Sequence, residues 1–166
     1  MRKQIAAANW KMNLTFKEGE TLLNDILSAK IEMASHQQTI FAVPFPYLIM
    51  AKSTVAHEKG YEIAAQNCSD KQSGAYTGEV SAEMLQSIGV QYCVIGHSER
   101  REYFLENNKI LAEKVNICLQ HEITPIFCCG EPLRIREENN QDQFVQRQLE
   151  ESLFHLSADQ IKTIII

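Results

Sequence analysis

The sequence predicts an α/β fold of repeated βα units around a parallel sheet. Three observations carry that reading. Short apolar runs alternate with helical periodicity, the runs begin near residues 5, 39, 61, 92, 124 and 163, and several helical stretches open or close on capping residues. A spacing of about 30 residues between strand starts matches one unit of an eight-unit barrel of ~250 residues.

Ile5 to Ala8 is a short apolar run and makes the first strand. Thr15 stands three residues before Glu18, a capping-box spacing, and Leu22, Leu23, Ile26 and Leu27 follow with helical period. Thr39 to Val43 is rich in β-formers and stops at Pro44 and Pro46; a second helix carries Tyr47, Leu48, Met50, Ala51 and Val55 to an end near Gly60. Tyr61 to Ala65 begins a third unit.

The loop Gln66 to Val80 is long, holds Ser73, Gly74 and Gly78, and leads to Ser81, an N-cap for a helix over Ala82 to Ile88 that Gly89 terminates. Loops of that length without structure of their own are usually functional. Tyr92 to Ile95 is the fourth strand, Ser98 to Glu102 begins a short helix, and Asn107 or Asn108 caps a longer one reaching about Gln120. Thr124 to Cys128 is the fifth strand, Gln141 to Leu156 a further amphipathic helix, and Lys162 to Ile166 the start of an apolar sixth strand.

Composition narrows the class. The 166 residues carry 16 basic and 21 acidic side chains, a net charge of −5 and 45% hydrophobic residues, as expected of a single domain over residues 1–166. No basic arm is present, which argues against a nucleic-acid partner. The apolar run at Ile5 to Ala8 is too short for a signal-peptide core, and no later run approaches the ~18 residues of a membrane span, so a cytoplasmic protein without a membrane partner is expected. Cys68, Cys93, Cys118, Cys128 and Cys129 form neither a CxxC nor a Cys/His pattern with metal-ligand spacing; they read as reduced thiols, mostly in the core, with no metal expected.

Parallel sheets bind ligands at the C-terminal ends of their strands. After the first strand comes Asn9-Trp10-Lys11-Met12-Asn13, without the glycines that a dinucleotide fingerprint requires. An open doubly wound phosphate-binding domain fits the chain length but calls for a glycine-rich or acidic signature at this point. Lys11 reads either as a solvated loop lysine or, with Asn9 beside it, as a point charge for an anionic substrate.

After the fourth strand, Gly96-His97-Ser98-Glu99-Arg100-Arg101 is dense in titratable groups, and His97 is either structural or functional. After the fifth, Cys128-Cys129-Gly130-Glu131 reads as two strand-end thiols under a glycine turn rather than a redox pair. Glu99 and Glu131 are either catalytic carboxylates or braces paired with Arg100 and Arg101.

Taken together, Asn9-Trp10-Lys11-Met12-Asn13, Ser73-Gly74-Ala75-Tyr76-Thr77-Gly78-Glu79, Gly96-His97-Ser98-Glu99-Arg100-Arg101 and Cys128-Cys129-Gly130-Glu131 resemble the triosephosphate isomerase family in order and spacing. The second cysteine departs from the aliphatic residue common there. The resemblance covers the whole chain, roughly two-thirds of a family member. It implies a (β/α)8 TIM barrel, with the first five βα units and strand six in this chain. It also implies cofactor-free interconversion of dihydroxyacetone phosphate and D-glyceraldehyde 3-phosphate through an enediolate, a step of glycolysis and gluconeogenesis.

By the same resemblance, Lys11 holds the substrate and stabilises the enediolate, and Asn9 binds the substrate beside it. His97 polarises the carbonyl as a neutral imidazole whose pKa is lowered by a helix N-terminus, and Glu99 positions these groups or relays protons. The loop bearing Tyr76, Thr77, Gly78 and Glu79 enters a pocket of a second subunit, with Gln66 and Arg100 as braces, which implies a homodimer. The family's general base is a glutamate just after strand six. Activity is therefore expected to require residues beyond 166, with this chain inactive alone and the Ile164 to Ile166 edge prone to association. The alternative is a non-catalytic barrel fragment or assembly module acting through the Thr77 loop.

Overall fold

The computed structural model describes residues 3–166. Five strands, β1 (Gln4–Asn9), β2 (Gln37–Val43), β3 (Tyr61–Ala65), β4 (Tyr92–Ile95) and β5 (Thr124–Phe127), lie side by side in chain order. Each neighbouring pair is parallel. The order never reverses, so the sheet lacks the switch point of a doubly wound domain and forms the arc of a (β/α) barrel.

Helices α1 (Phe16–Ser28), α2 (Leu48–Val55), α3 (Ala82–Ser87), α4 (Ser98–Tyr103), α5 (Asn108–Gln120), α6 (Leu133–Glu137), α7 (Gln141–Leu153) and α8 (Ala158–Ile161) occupy the connections, with a 3-10 turn over Phe45–Tyr47. Their boundaries follow local chemistry. The Glu18 carboxylate accepts from both the backbone N–H (2.8 Å) and the hydroxyl (2.7 Å) of Thr15 at the start of α1. Ser81 Oγ accepts the Met84 N–H at α3, and Asn107, rather than Asn108, caps α5 through the N–H of Ile110. Gly89, at φ +75°, supplies the left-handed residue after α3.

The period of two along the strands sorts the core into two layers. Phe41, Val43, Ile63, Ala65, Cys93, Ile95 and Phe127 face the helices and pack with Leu23, Leu48, Leu85, Leu111, Val115 and Leu153. Ile40, Ala42, Ala64 and Val94 face the concave side, where Ile5, Ile126 and Ile165 complete a smaller cluster. Trp10 is buried just past β1; an added Cβ on Gly19 of α1 would stand 3.0 Å from its ring, so Gly19 lets α1 approach the end of the strand.

Several boundaries differ from the sequence expectation, and the second helix ends at Val55, short of Gly60. The sixth strand does not begin at Lys162. Ser157 and Gln160 form a capping box that opens α8, and pairing starts only at Ile165, which bridges Ile126 in parallel. Phe127 N–H donates to Ile165 O at 2.7 Å, and Ile165 N–H to Pro125 O at 3.0 Å. The long helix after β5 ends at Leu153 rather than Leu156, and the unpredicted α6 precedes it. Among the described residues, no helix is long and apolar enough to cross a membrane.

Ile63 lies in the middle of β3 with no exposed surface. Ile63→Ala should cost about 2–5 kcal/mol by urea unfolding; a loss below ~1 kcal/mol would mean that the helix-facing layer is loosely packed.

Candidate active site

Parallel register brings the strand ends to one rim. Asn9 of β1 pairs with Ala42, Val43 of β2 with Ala65, and Ile95 of β4 with Phe127. The predicted residues Asn9, Lys11, His97 and Glu99 therefore leave the sheet on the same side.

Lys11 adopts a left-handed backbone, φ +53°, which a non-glycine residue keeps only where its surroundings enforce it. Its N–H donates to Asn9 Oδ1 at 3.0 Å, and its carbonyl accepts from Gln66 Nε2 at 2.9 Å. Gln66 also donates to Ala42 O at 3.0 Å, so one side-chain amide holds the turn after β1 to the end of β2. The Lys11 ammonium donates to Glu99 Oε1 at 2.7 Å across 88 residues of sequence. That hydrogen bond holds the Glu99 carboxyl below the usual glutamate range, with the lysine's charge adding to the effect.

His97 is the N-cap of α4, and its Nδ1 accepts the Glu99 backbone N–H at 3.3 Å. Nδ1 also lies 3.5 Å from Glu99 Oε2, so the Glu99 residue meets this one ring nitrogen through both its backbone and its side chain. Lys11, His97 and Glu99 thus form one connected group. Asn9 joins it through the turn backbone.

Gly96 precedes His97 with φ +78°, and an added Cβ would meet Arg101 Nη2, Cys128 O and Leu111 Cδ1 at 3.0–3.1 Å. The Arg101 guanidinium donates to Gly96 O (2.7 Å), Cys128 O (2.9 Å) and Asn108 Oδ1 (2.8 Å), tying the ends of β4 and β5 together. A cavity of 810 Å³ opens beside His97, lined also by Ser98, Arg101, the Cys128 to Pro132 turn and Gln148.

The expected braces are redistributed. Glu131 pairs with Arg136 at 2.5 Å rather than with Arg100 or Arg101. Arg100 donates to Glu106 Oε1 at 2.7 Å and lies over the Phe104 ring. Glu106 is buried, and the same oxygen accepts from the buried Lys114 at 2.6 Å; Lys114 in turn donates to Asn67 Oδ1 at 2.8 Å. Sequence reading missed Glu106, Lys114 and Gln148. The buried Gln148 side-chain amide donates to Gly130 O (3.0 Å) and accepts from Gly130 N–H (2.9 Å).

The loop with Tyr76, Thr77, Gly78 and Glu79 projects from the sheet, exposed without interruption from residue 71 to 79. Its base closes through Ser69 N–H to Val80 O, and its tip through Tyr76 N–H to Gly74 O and Glu79 N–H to Tyr76 O. Gly74 and Gly78 take φ +126° and +95°.

The fold is of the barrel-type α/β class, with an ion-paired lysine and a helix-capping histidine at its strand ends. The family model described as triosephosphate isomerase matches residues 4–166, and the chain belongs to that family. It is 49% identical, over its whole length, to a triosephosphate isomerase of Cytophaga hutchinsonii. It is 44% identical to one of Amoebophilus asiaticus and 45% to one of Bacteroides fragilis, again over the whole chain. The chain spans about two-thirds of these relatives, 66%, 66% and 65% of their lengths.

Because its folded-state pKa is depressed, the Glu99 carboxylate keeps its contact with Lys11 above the ordinary glutamate value of about 4.3 and loses it as pH falls through the lower folded value. Carbon-detected NMR should therefore give Glu99 a midpoint below ~4.3, rising toward it in Lys11→Met. A midpoint unmoved by that substitution would separate the two side chains.

Proposed function

We propose that the protein interconverts dihydroxyacetone phosphate and D-glyceraldehyde 3-phosphate through an enediolate. The observation that carries the reading is the convergence of Lys11 and His97, from different strand ends, on Glu99. Negative charge grows on the substrate oxygens as the enediolate forms, and preorganised donors at those oxygens lower the barrier more than the same groups in water. The Lys11 ammonium is one such donor and holds the substrate together with Asn9. His97 is the other. With Nδ1 engaged by the Glu99 amide, its Nε2–H is free to polarise the carbonyl and to pass protons between the two oxygens.

Glu99 positions both donors. Glu99 is held by Lys11 and Glu131 by Arg136, so neither is assigned the abstraction of the carbon-bound proton. This chemistry is assigned no cofactor and no metal. A net charge of −5 disfavours nucleic-acid backbones, and neither nucleic acid nor a membrane is proposed as partner. Phosphorylated trioses do not cross membranes unaided, so the proposal places the protein with them in the cytoplasm, within one domain over residues 1–166.

A homodimer is part of the proposal. Nine consecutive exposed residues held in a defined shape, with Thr77 near the tip, suit insertion into a second copy, where Tyr76, Gly78 and Glu79 line the contact and Gln66 and Arg100 brace it.

In the intact protein, Lys11→Ala should lower kcat/KM by ~10³-fold or more in a coupled isomerase assay while circular dichroism stays unchanged. His97→Gln should lower kcat far more than it raises KM, since its interaction strengthens as charge develops. Appreciable turnover in the first variant, or a change confined to KM in the second, overturns the assignment. Thr77→Arg should shift gel-filtration elution from dimer to monomer; an unchanged elution volume removes the loop from the interface.

A further inference from the structure

Three cysteines that no sequence spacing relates meet in the core. Cys68 lies in the loop after β3, Cys93 in β4 and Cys118 in the last turn of α5. Each has no exposed surface. Their sulfur atoms all lie within 4.8 Å of one another, and Cys68 Sγ stands 3.5 Å from Cys118 Sγ, with all three thiols free. One buried thiol is an ordinary small apolar residue. Three converging on one point, each from a different element, are a preformed donor set.

We infer that Cys68, Cys93 and Cys118 form a binding site for a soft, three-coordinate cation of the copper(I) type. Metal–sulfur bonds of ~2.3 Å arranged trigonally place the sulfurs ~4.0 Å apart. That separation falls between the 3.5 Å of the Cys68–Cys118 pair and the 4.8 Å bound on all three. Thiolates select soft ions such as copper(I). A structural zinc ion asks for a fourth ligand, and among the described residues no further cysteine, histidine or carboxylate joins the three sulfurs.

The local charges bear on loading. Hydrogen bonding with Cys118, then with Cys93, pulls the Cys68 thiol down, and the Lys114 ammonium adds to the effect. Burial pushes the Cys93 thiol up, and hydrogen bonding with Cys68 does the same to Cys118. Binding requires all three thiols to give up their protons. One metal–sulfur bond replaces each S–H bond, the protons leave to solvent, and the copper stays in the +1 state throughout. The nearby ammonium offsets part of the negative charge left by three thiolates around one monovalent ion.

The test uses the protein with Cys128→Ser and Cys129→Ser, which removes the two thiols outside the cluster. Reduced and oxygen-free, it is titrated with copper(I) buffered by a chromogenic chelator. The expected result is one ion retained per chain, with an X-ray absorption spectrum showing three sulfur neighbours near ~2.3 Å. Adding Cys118→Ala should weaken retention by more than the ~10–100-fold that loss of an outer supporting group costs a metal site. No retained copper, a shell of two sulfurs or one containing oxygen or nitrogen, or equally tight binding after Cys118→Ala overturns the inference. The absorption spectrum decides the question even where Cys118→Ala fails to fold, because it needs no substitution within the cluster.

Discussion

Everything at the candidate site depends on the parallel backbone ladder running through five strands in chain order. The ladder sets the register from Asn9 through Ala42 and Val43 to Ala65, and from Ile95 to Phe127, so successive strands release their chains at the same rim. Beyond the rim the ladder stops, and backbone polar groups need other partners. Side chains with several donors or acceptors take over. Gln66 joins the turn after β1 to the end of β2, Arg101 joins the turns after β4 and β5, and Gln148 holds both polar groups of the Gly130 residue. Each replaces with a planar amide or guanidinium the kind of contact that the sheet makes with peptides.

The charges divide into two kinds by depth. Lys11 and Glu99 are about half exposed, 50% and 42%, so their pairing contributes little to stability and can be exchanged for a ligand. Glu106 and Lys114 are 6% and 4% exposed. Removing one member of such a buried pair leaves an uncompensated charge, at a cost of about 3–5 kcal/mol. The buried group reaches from Asn67 at the base of the exposed loop, through Lys114 and Glu106, to Arg100 beside the histidine turn. The exchangeable charges therefore stand next to a fixed network that links two of the site's loops.

The legible parts of the sequence are those where neighbours in space are neighbours in pattern. The five strands and the long helices α1, α5 and α7 announce themselves by period and cap, and the residues around Lys11 and His97 stand out because each motif is contiguous. The sixth strand was misplaced because the apolar ending of the chain outweighed the Ser157-x-x-Gln160 capping box, a readable signal for α8. Helix α6 is five residues with no apolar stripe, marked only by Pro132 in front of it. Gln148 with Gly130, Lys114 with Asn67, and the three thiols are 18 to 50 residues apart. No periodicity links them, because folding alone makes them neighbours.

The backbone at Lys11 bears on how such a chain evolves. A left-handed conformation costs a residue with a Cβ roughly 1–2 kcal/mol, which glycine avoids. A lysine at φ +53° is therefore a poor choice by the measure of folding alone. Selection for thermal endurance, with no demand for activity, should drift this position toward glycine or asparagine and erase the cation while leaving the barrel arc intact.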